Sequence, residues 1–279
     1  MSTQNETPAS LYLSLMKKVL SFSLWDDPGI PIELHPVKRS KHIEFVIHGV
    51  SLFFRLFGLQ VIRRTSHTMK QITDGEIWPW YADTMIGLKR LDNLQYCIEN
   101  IIENKVEGDL IETGVWRGGA CIFMRAILAA YQIKDRCVFV ADSFTGLPNP
   151  ATTKYPQDVG DRHHHITYLA VPLEQVKANF DKYGLLDEQV AFIKGWFADT
   201  LPHLPSNKLA VLRLDGDMYG STMDALINLY PKLSSGGFCI VDDYGLVGCR
   251  NAVDDFRSKW RIVSPFTQVD RYCVYWQKE

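Results

Sequence analysis

Apolar positions fall into two regimes along the chain. In residues 1–85 they recur at helical spacing in two segments, Leu11 to Leu24 and Ile43 to Ile62. The link between them carries Pro28, Pro31 and Pro36, then the polar run Lys38-Arg39-Ser40-Lys41. From Asp92 onward, short apolar runs alternate with longer segments of helical period, the pattern of a parallel sheet wrapped by helices. The pattern predicts strands at Leu110–Glu112, Val138–Ala141, Val190–Ile193, Ala210–Leu214, Phe238–Val241, Ile262–Val263 and Tyr272–Trp276. Helices are expected at Arg90–Ile102, Ala120–Tyr131, Leu173–Tyr183, Thr222–Leu233 and Asn251–Trp260. Only a short link with Pro265 and Asp270 separates the last two strands, so they should pair antiparallel. The expected fold is α/β: a seven-stranded, mostly parallel, Rossmann-like sheet with helices on both faces over residues 86–279. Residues 1–85 form a helical extension, whose apolar faces would close as a lid or meet a second copy in a homodimer.

Composition narrows the function classes. A net charge of −2 leaves no electrostatic footprint for nucleic acid. The most apolar stretch, Phe45 to Ile62, is broken by His48 and Arg55 and runs into Arg63-Arg64, so no membrane span is expected. Six scattered cysteines (Cys97, Cys121, Cys137, Cys239, Cys249, Cys273) show no CxxC pair, and no signal peptide opens the chain, which points to a reducing, cytoplasmic setting.

Ligands of open α/β sheets bind beyond the carboxyl ends of the strands. The first strand runs through Glu112-Thr113-Gly114-Val115-Trp116-Arg117-Gly118-Gly119 into a helix, a turn whose glycines permit close approach to a ligand or merely a tight connection. Its E-x-G-x-x-x-G spacing differs from the dinucleotide fingerprint. The second strand ends in Asp142-Ser143, where the acid can accept from both ribose hydroxyls or act as a turn residue. The third exits into Gly195-Trp196, where a ring could flank a base or belong to the core.

The fourth and fifth strands end in Asp215-Gly216-Asp217 and Asp242-Asp243. Four carboxylates at one sheet edge repel unless a cation neutralises them, and hard oxygen ligands suit Mg²⁺ better than zinc. Capping or turn roles are the other reading of these acids. Continued strand alternation would turn Asp215 and Asp217 to one face. The run His163-His164-His165 lies in an irregular stretch and is expected to be a solvated loop, with one histidine near the acceptor as the other reading.

Four blocks carry a family resemblance: Leu11-Tyr12-Leu13, Asp83 to Gln95, Gly108 to Gly119, and Asp215-Gly216-Asp217-Met218-Tyr219-Gly220-Ser221-Thr222. Together they resemble the macrocin O-methyltransferase family, whose members tailor macrolide and aminocoumarin antibiotics. The resemblance implies a class I methyltransferase sheet, S-adenosylmethionine as donor, Mg²⁺, and a small-molecule hydroxyl, often a sugar's, as acceptor. By position it places Thr84 and Met85 near the methionine part of the donor. Glu112, Thr113, Gly114, Val115 and Trp116 would form the glycine-rich wall, Asp142 the ribose partner, and Gly195-Trp196 the adenine border. Asp215, Asp242 and Asp243 would bind metal, with Asp217 as base. Catechol-type enzymes usually show Asp followed by Lys three residues on, and Asp-Asn at the second site; here Met218 and Asp243 stand there. A non-catalytic protein that binds the same donor is the alternative from another class.

Overall fold

The computed structural model describes residues 7–32, 40–64 and 67–279. Pro36, Lys38 and Arg39 of the expected link lie outside them. Helix α1 (Pro8–Leu20) begins where Pro8 presets the backbone and the Thr7 hydroxyl accepts the Ser10 N–H at 3.1 Å. A two-strand bridge, β1 (Ile30–Pro31) with β2 (Ile62–Arg63), brackets α2 (Lys41–Arg55). Helix α3 (Met69–Asp74) opens on a capping box between Thr68 and Gln71.

The sheet domain then runs α4 (Leu88–Glu103), β3 (Asp109–Thr113), α5 (Gly119–Ala130), β4 (Val138–Asp142), α6 (Leu173–Lys182), β5 (Val190–Lys194), α7 (Phe197–Thr200), β6 (Leu209–Leu214), α8 (Tyr219–Leu229), β7 (Leu233–Val241), α9 (Val247–Trp260), β8 (Thr267–Gln268) and β9 (Val274–Gln277). Spatial order is β5-β4-β3-β6-β7-β9-β8. The first five strands are parallel; β9 pairs antiparallel with both β7 and β8. The chain reverses its direction of travel across the sheet between β3 and β6, which opens a crevice at their carboxyl ends.

Strand alternation feeds two cores. Leu110, Val138 and Val140 pack beneath α4, α5 and α6, whereas Ile111, Phe139, Leu212 and Leu214 pack beneath α8 and α9. Helix α1 joins the first of these: Leu13, Met16 and Leu20 are buried in the same cluster as Leu91, Leu94 and Ile98 of α4. The apolar face of α1 therefore has its partner inside the chain. That of α2 finds none among the described residues, where Phe45, Val46, Leu52 and Phe53 stand exposed.

One strand differs from expectation. Ile262–Val263 is not a strand: Arg261 ends α9 in the left-handed conformation, and Val263 is 80% exposed. The outer hairpin strand is instead Thr267–Gln268, held by a turn in which Asp270 Oδ1 accepts the Tyr272 and Cys273 N–H groups at 2.8 and 2.9 Å. All six cysteines are free thiols, and no helix among the described residues is long and apolar enough to cross a membrane.

Candidate active site

A cavity of about 300 Å³ lies over the switch point. Its wall includes Met85, Gly114, Trp116, Asp142, Ser143, Gly195, Trp196, Asp215 and Asp217, nine of the residues singled out by sequence. Thr84, Glu112, Thr113 and Asp242 are buried behind that wall, as is Val115, whose N–H donates to Asp142.

Backbone geometry shapes the wall. Gly114 has φ +86°, and a Cβ there would sit 1.7 Å from the Asp215 carbonyl oxygen, so only glycine lets β3 and β6 exit side by side. Asp142 ties the turns together: Oδ2 accepts the Val115 N–H at 2.8 Å and Oδ1 the Phe144 N–H at 2.7 Å. Burial raises its pKa, and these two amides work against that rise. The turn-residue and ligand-partner readings of Asp142 are thus compatible, since a carboxylate has lone pairs to spare beyond two amides. On the opposite side, the Asp83 and Thr84 N–H groups both donate to the carbonyl of Leu20 at the end of α1, at 2.9 and 3.2 Å. A Cβ on Gly119 would meet the Asp83 carbonyl at 2.3 Å, so α5 presses its first turn against the same segment.

The acids gather as expected, though not by the expected route. One carboxylate oxygen from each of Asp215, Asp242 and Asp243 lies within 4.8 Å of the others. Strand β6 stops at Leu214, and Asp217 reaches the cluster through a left-handed turn at φ +56° rather than by strand alternation; its N–H donates to Asp243 Oδ2 at 3.0 Å. Burial and then repulsion from Asp215 push Asp217 up to about 7. Burial, followed by the charge of Asp242, raises Asp215, and burial with Asp217, Asp215 and Asp242 raises Asp243. Carboxyl groups forced upward together are a site in want of positive charge. The donor set, all carboxylate oxygen, fits a hard divalent ion.

Two arginines that sequence reading missed floor this cluster. Arg213 is fully buried and bonds Glu112, Asp242 and Asp215, the last at 2.9 Å. Arg90, on α4, bonds Asp242 Oδ2 at 2.5 Å and Asp270 Oδ2 at 2.7 Å. Both oxygens of Asp242 are therefore occupied, which makes it the least free of the three candidate ligands. Burial works against the charge of each arginine, but the surrounding carboxylates outweigh it and raise both. Glu112 faces this network, not the cavity. It accepts from the Cys121 thiol at 2.8 Å, and burial pushes it up to about 7 against the pull of Arg213. An arginine inside the otherwise apolar run Leu209–Leu214 was the available signal, because a buried guanidinium demands carboxylate partners.

The histidine run forms a short 3-10 turn with no buried residue, in which His163 is half-buried and His165 exposed. The Nδ1 of His163 lies 2.6 Å from Asp161 Oδ2. Asp158, also missed, anchors this loop to α8 by accepting the Tyr219 and Gly220 N–H groups at 2.9 and 2.8 Å.

Comparison with known proteins decides the lineage. Residues 9–278 match the model of the macrocin-O-methyltransferase (TylF) family. The chain belongs to that family. It is 56% identical over 98% of its length, and 94% of the relative's, to the 8-demethyl-8-(2,3-dimethoxy-alpha-L-rhamnosyl)-tetracenomycin-C 4'-O-methyltransferase of Streptomyces olivaceus. It is 46% identical, over 99% of its length and 96% of the relative's, to the demethyldecarbamoylnovobiocin O-methyltransferase of Streptomyces niveus. The solved structure of the O-methyltransferase NovP superposes with a TM-score of 0.83 at 45% identity, covering 97% of this chain and 99% of that one. A calicheamicin methyltransferase at 17% identity and TM-score 0.53, covering 98% and 94%, shares the fold. This member of the family is an S-adenosylmethionine-dependent methyltransferase with the class I sheet, and the non-catalytic alternative falls away.

Proposed function

We propose that this enzyme methylates a sugar hydroxyl of a glycosylated natural product. The observation that carries the reading is the placement of Asp215 and Asp217 in the same cavity as Met85, Asp142 and Gly195. A donor lying along Asp142, Gly114 and Met85 would bring its reactive end towards the acids. The relatives' names supply the acceptor class: a rhamnosyl-tetracenomycin, a novobiocin precursor and mycinamicin III.

In this reading Thr84, Met85 and the Glu112-to-Trp116 turn hold the methionine part of S-adenosylmethionine, Asp142-Ser143 the ribose, and Gly195-Trp196 the adenine. The acceptor oxygen attacks the sulfonium methyl as the S–C bond breaks, and S-adenosylhomocysteine and a methyl ether result. Asp217 takes the hydroxyl proton. Its raised pKa, about 7, matches a general base working near neutrality, an effect typically worth about 10²–10⁴-fold. Asp215, Asp243 and Asp242 would hold Mg²⁺, which when bound acidifies and orients the acceptor hydroxyl. Orientation of reacting groups can contribute on the order of 7–11 kcal/mol. Residues 1–85 act as an extension of the 86–279 sheet domain. The exposed apolar face of α2 supports a homodimer, for which light scattering should return twice the chain mass.

The test uses methyl-labelled donor with α-L-rhamnosides, before and after EDTA. Labelled methyl ether that disappears with EDTA and returns with Mg²⁺ is expected. Full turnover in EDTA overturns the metal assignment, and label on a phenol but never on a sugar overturns the acceptor class.

A further inference from the structure

Three distant stretches of chain assemble an aromatic platform that meets the cavity at Trp116, the last residue of the glycine-rich turn. The Tyr168 ring is stacked on Trp78 at 5.5 Å and 29°, lies 5.4 Å from Trp116 and 6.3 Å from Trp80. The Arg117 guanidinium sits over the rings of Trp116 at 4.2 Å and Tyr168 at 5.7 Å. Every joint is bonded. The Trp116 indole N–H donates to the Tyr168 carbonyl at 3.0 Å, the Tyr168 hydroxyl donates to the Pro79 carbonyl, and Arg117 donates to the carbonyls of Trp80 and Ala82 at 2.9 and 2.6 Å. Trp116 and Leu169 line the cavity at one end of this array, whereas Trp78 at the other end is 56% exposed.

We propose that this platform is a subsite for the planar, apolar aglycone of a glycoside acceptor. The inference rests on the glycoside reading above and adds where the rest of the acceptor lies. A glycosidic link holds a large flat ring system some ångströms from the sugar, so a sugar inside the cavity leaves its aglycone at the mouth, where the array begins. Rings fixed in advance by hydrogen bonds lose little freedom on binding, and offset stacking suits a flat apolar partner. Arg117 carries no ion pair in this array; it stacks on the rings and donates to carbonyls, so an uncharged aglycone meets no unpaired acid there.

The probes are 4-methylumbelliferyl α-L-rhamnoside, methyl α-L-rhamnoside and free 4-methylumbelliferone, used with the full-length enzyme. Wild type should show a KM about tenfold lower for the aryl than for the methyl rhamnoside. Trp78→Ala should raise KM for the aryl rhamnoside by about five- to tenfold, leave kcat and the methyl rhamnoside KM unchanged, and Trp78→Phe should recover part of the loss. Calorimetry should show 4-methylumbelliferone binding to wild type and at least fivefold weaker binding to Trp78→Ala. Equal losses for both rhamnosides, or binding of 4-methylumbelliferone that ignores Trp78, overturns the subsite. Trp78-dependent binding of 4-methylumbelliferone without turnover of any rhamnoside would sink the glycoside reading and leave the aromatic subsite standing.

Discussion

Arg213→Met is the most informative single change, because it removes one cation from beneath three carboxylates. Arg213 is 1% exposed, Glu112 2% and Asp242 3%. Asp242 would keep Arg90 at 2.5 Å, and Asp215, which lines the cavity, would keep access to water. Glu112 would keep only the Cys121 thiol. Breaking a buried pair by deleting one partner costs about 3–5 kcal/mol. With roughly 2–4 °C per kcal/mol for chains somewhat shorter than this one, the melting temperature should fall by about 6–20 °C.

The loss should also depend on pH. In the wild type burial pushes Glu112 up to about 7, above its ordinary 4.5, so the folded state binds its proton more tightly than the unfolded state. That contribution to stability is complete below about pH 4.5 and is lost as pH rises through about 7. Without Arg213 the Glu112 pKa rises further, so the two proteins differ least near pH 6, where Glu112 is mainly protonated in both, and most near pH 8.5. Glu112→Gln in the Arg213→Met background should recover part of the deficit at pH 8.5. Thermal melts by circular dichroism at the two pH values give the answer. A variant within 2 °C of wild type at pH 8.5, or a deficit that ignores both pH and Glu112→Gln, would refute the reasoning.

Three further changes probe separate parts of the site. Asp142→Ala should weaken donor binding by about 1.5–3 kcal/mol, since a charged acceptor is lost, and calorimetry that finds unchanged affinity would count against the ribose assignment. Asp217→Asn should cut kcat by about 10²-fold with donor affinity unaltered; a variant that keeps most of its kcat would move the base elsewhere. Leu20→Ala opens a cavity at a fully buried position and should cost about 2–5 kcal/mol in a denaturant melt. A loss below 1 kcal/mol would mean that α1 does not belong to the core.

What could be read from sequence was whatever follows from local period and chain direction. Strand ends are legible because a parallel sheet sends all its carboxyl termini to one edge, so Gly114, Asp142, Gly195 and Asp215 had to meet there. Asp217 was placed near the right spot for the wrong reason: nothing in its neighbours announced a left-handed residue, which for an aspartate is uncommon but tolerated. Of the arginine floor, Arg213 left its mark in an apolar strand, but Arg90 left none. Arg90 lies 152 residues from Asp242 and 180 from Asp270, and helical period alone could not say which face of α4 meets the hairpin.

The N-terminal segment shows where the two kinds of information part. Apolar spacing revealed α1, but the reasoning that the sheet already had its helices set it aside as a lid or contact surface. Packing decides otherwise: α1 lies on α5 in the same core as α4, and its last carbonyl, that of Leu20, accepts from both Asp83 and Thr84. The segment proposed to hold the donor's methionine end is thus fixed from one side by α1 and from the other by the first turn of α5, where Gly119 leaves no room for a side chain. Among the described residues α2 is the helix whose apolar face lacks cover, so the question of a second copy falls first on it. A loosened α1 should therefore weaken the donor before it affects the acids, which sit across the switch point on β6 and β7. Leu20→Ala enzyme that remains folded should show a raised donor Kd with an unchanged Mg²⁺ requirement. Equal losses in both would mean that the sheet as a whole, not the Asp83-Thr84 segment, depends on α1.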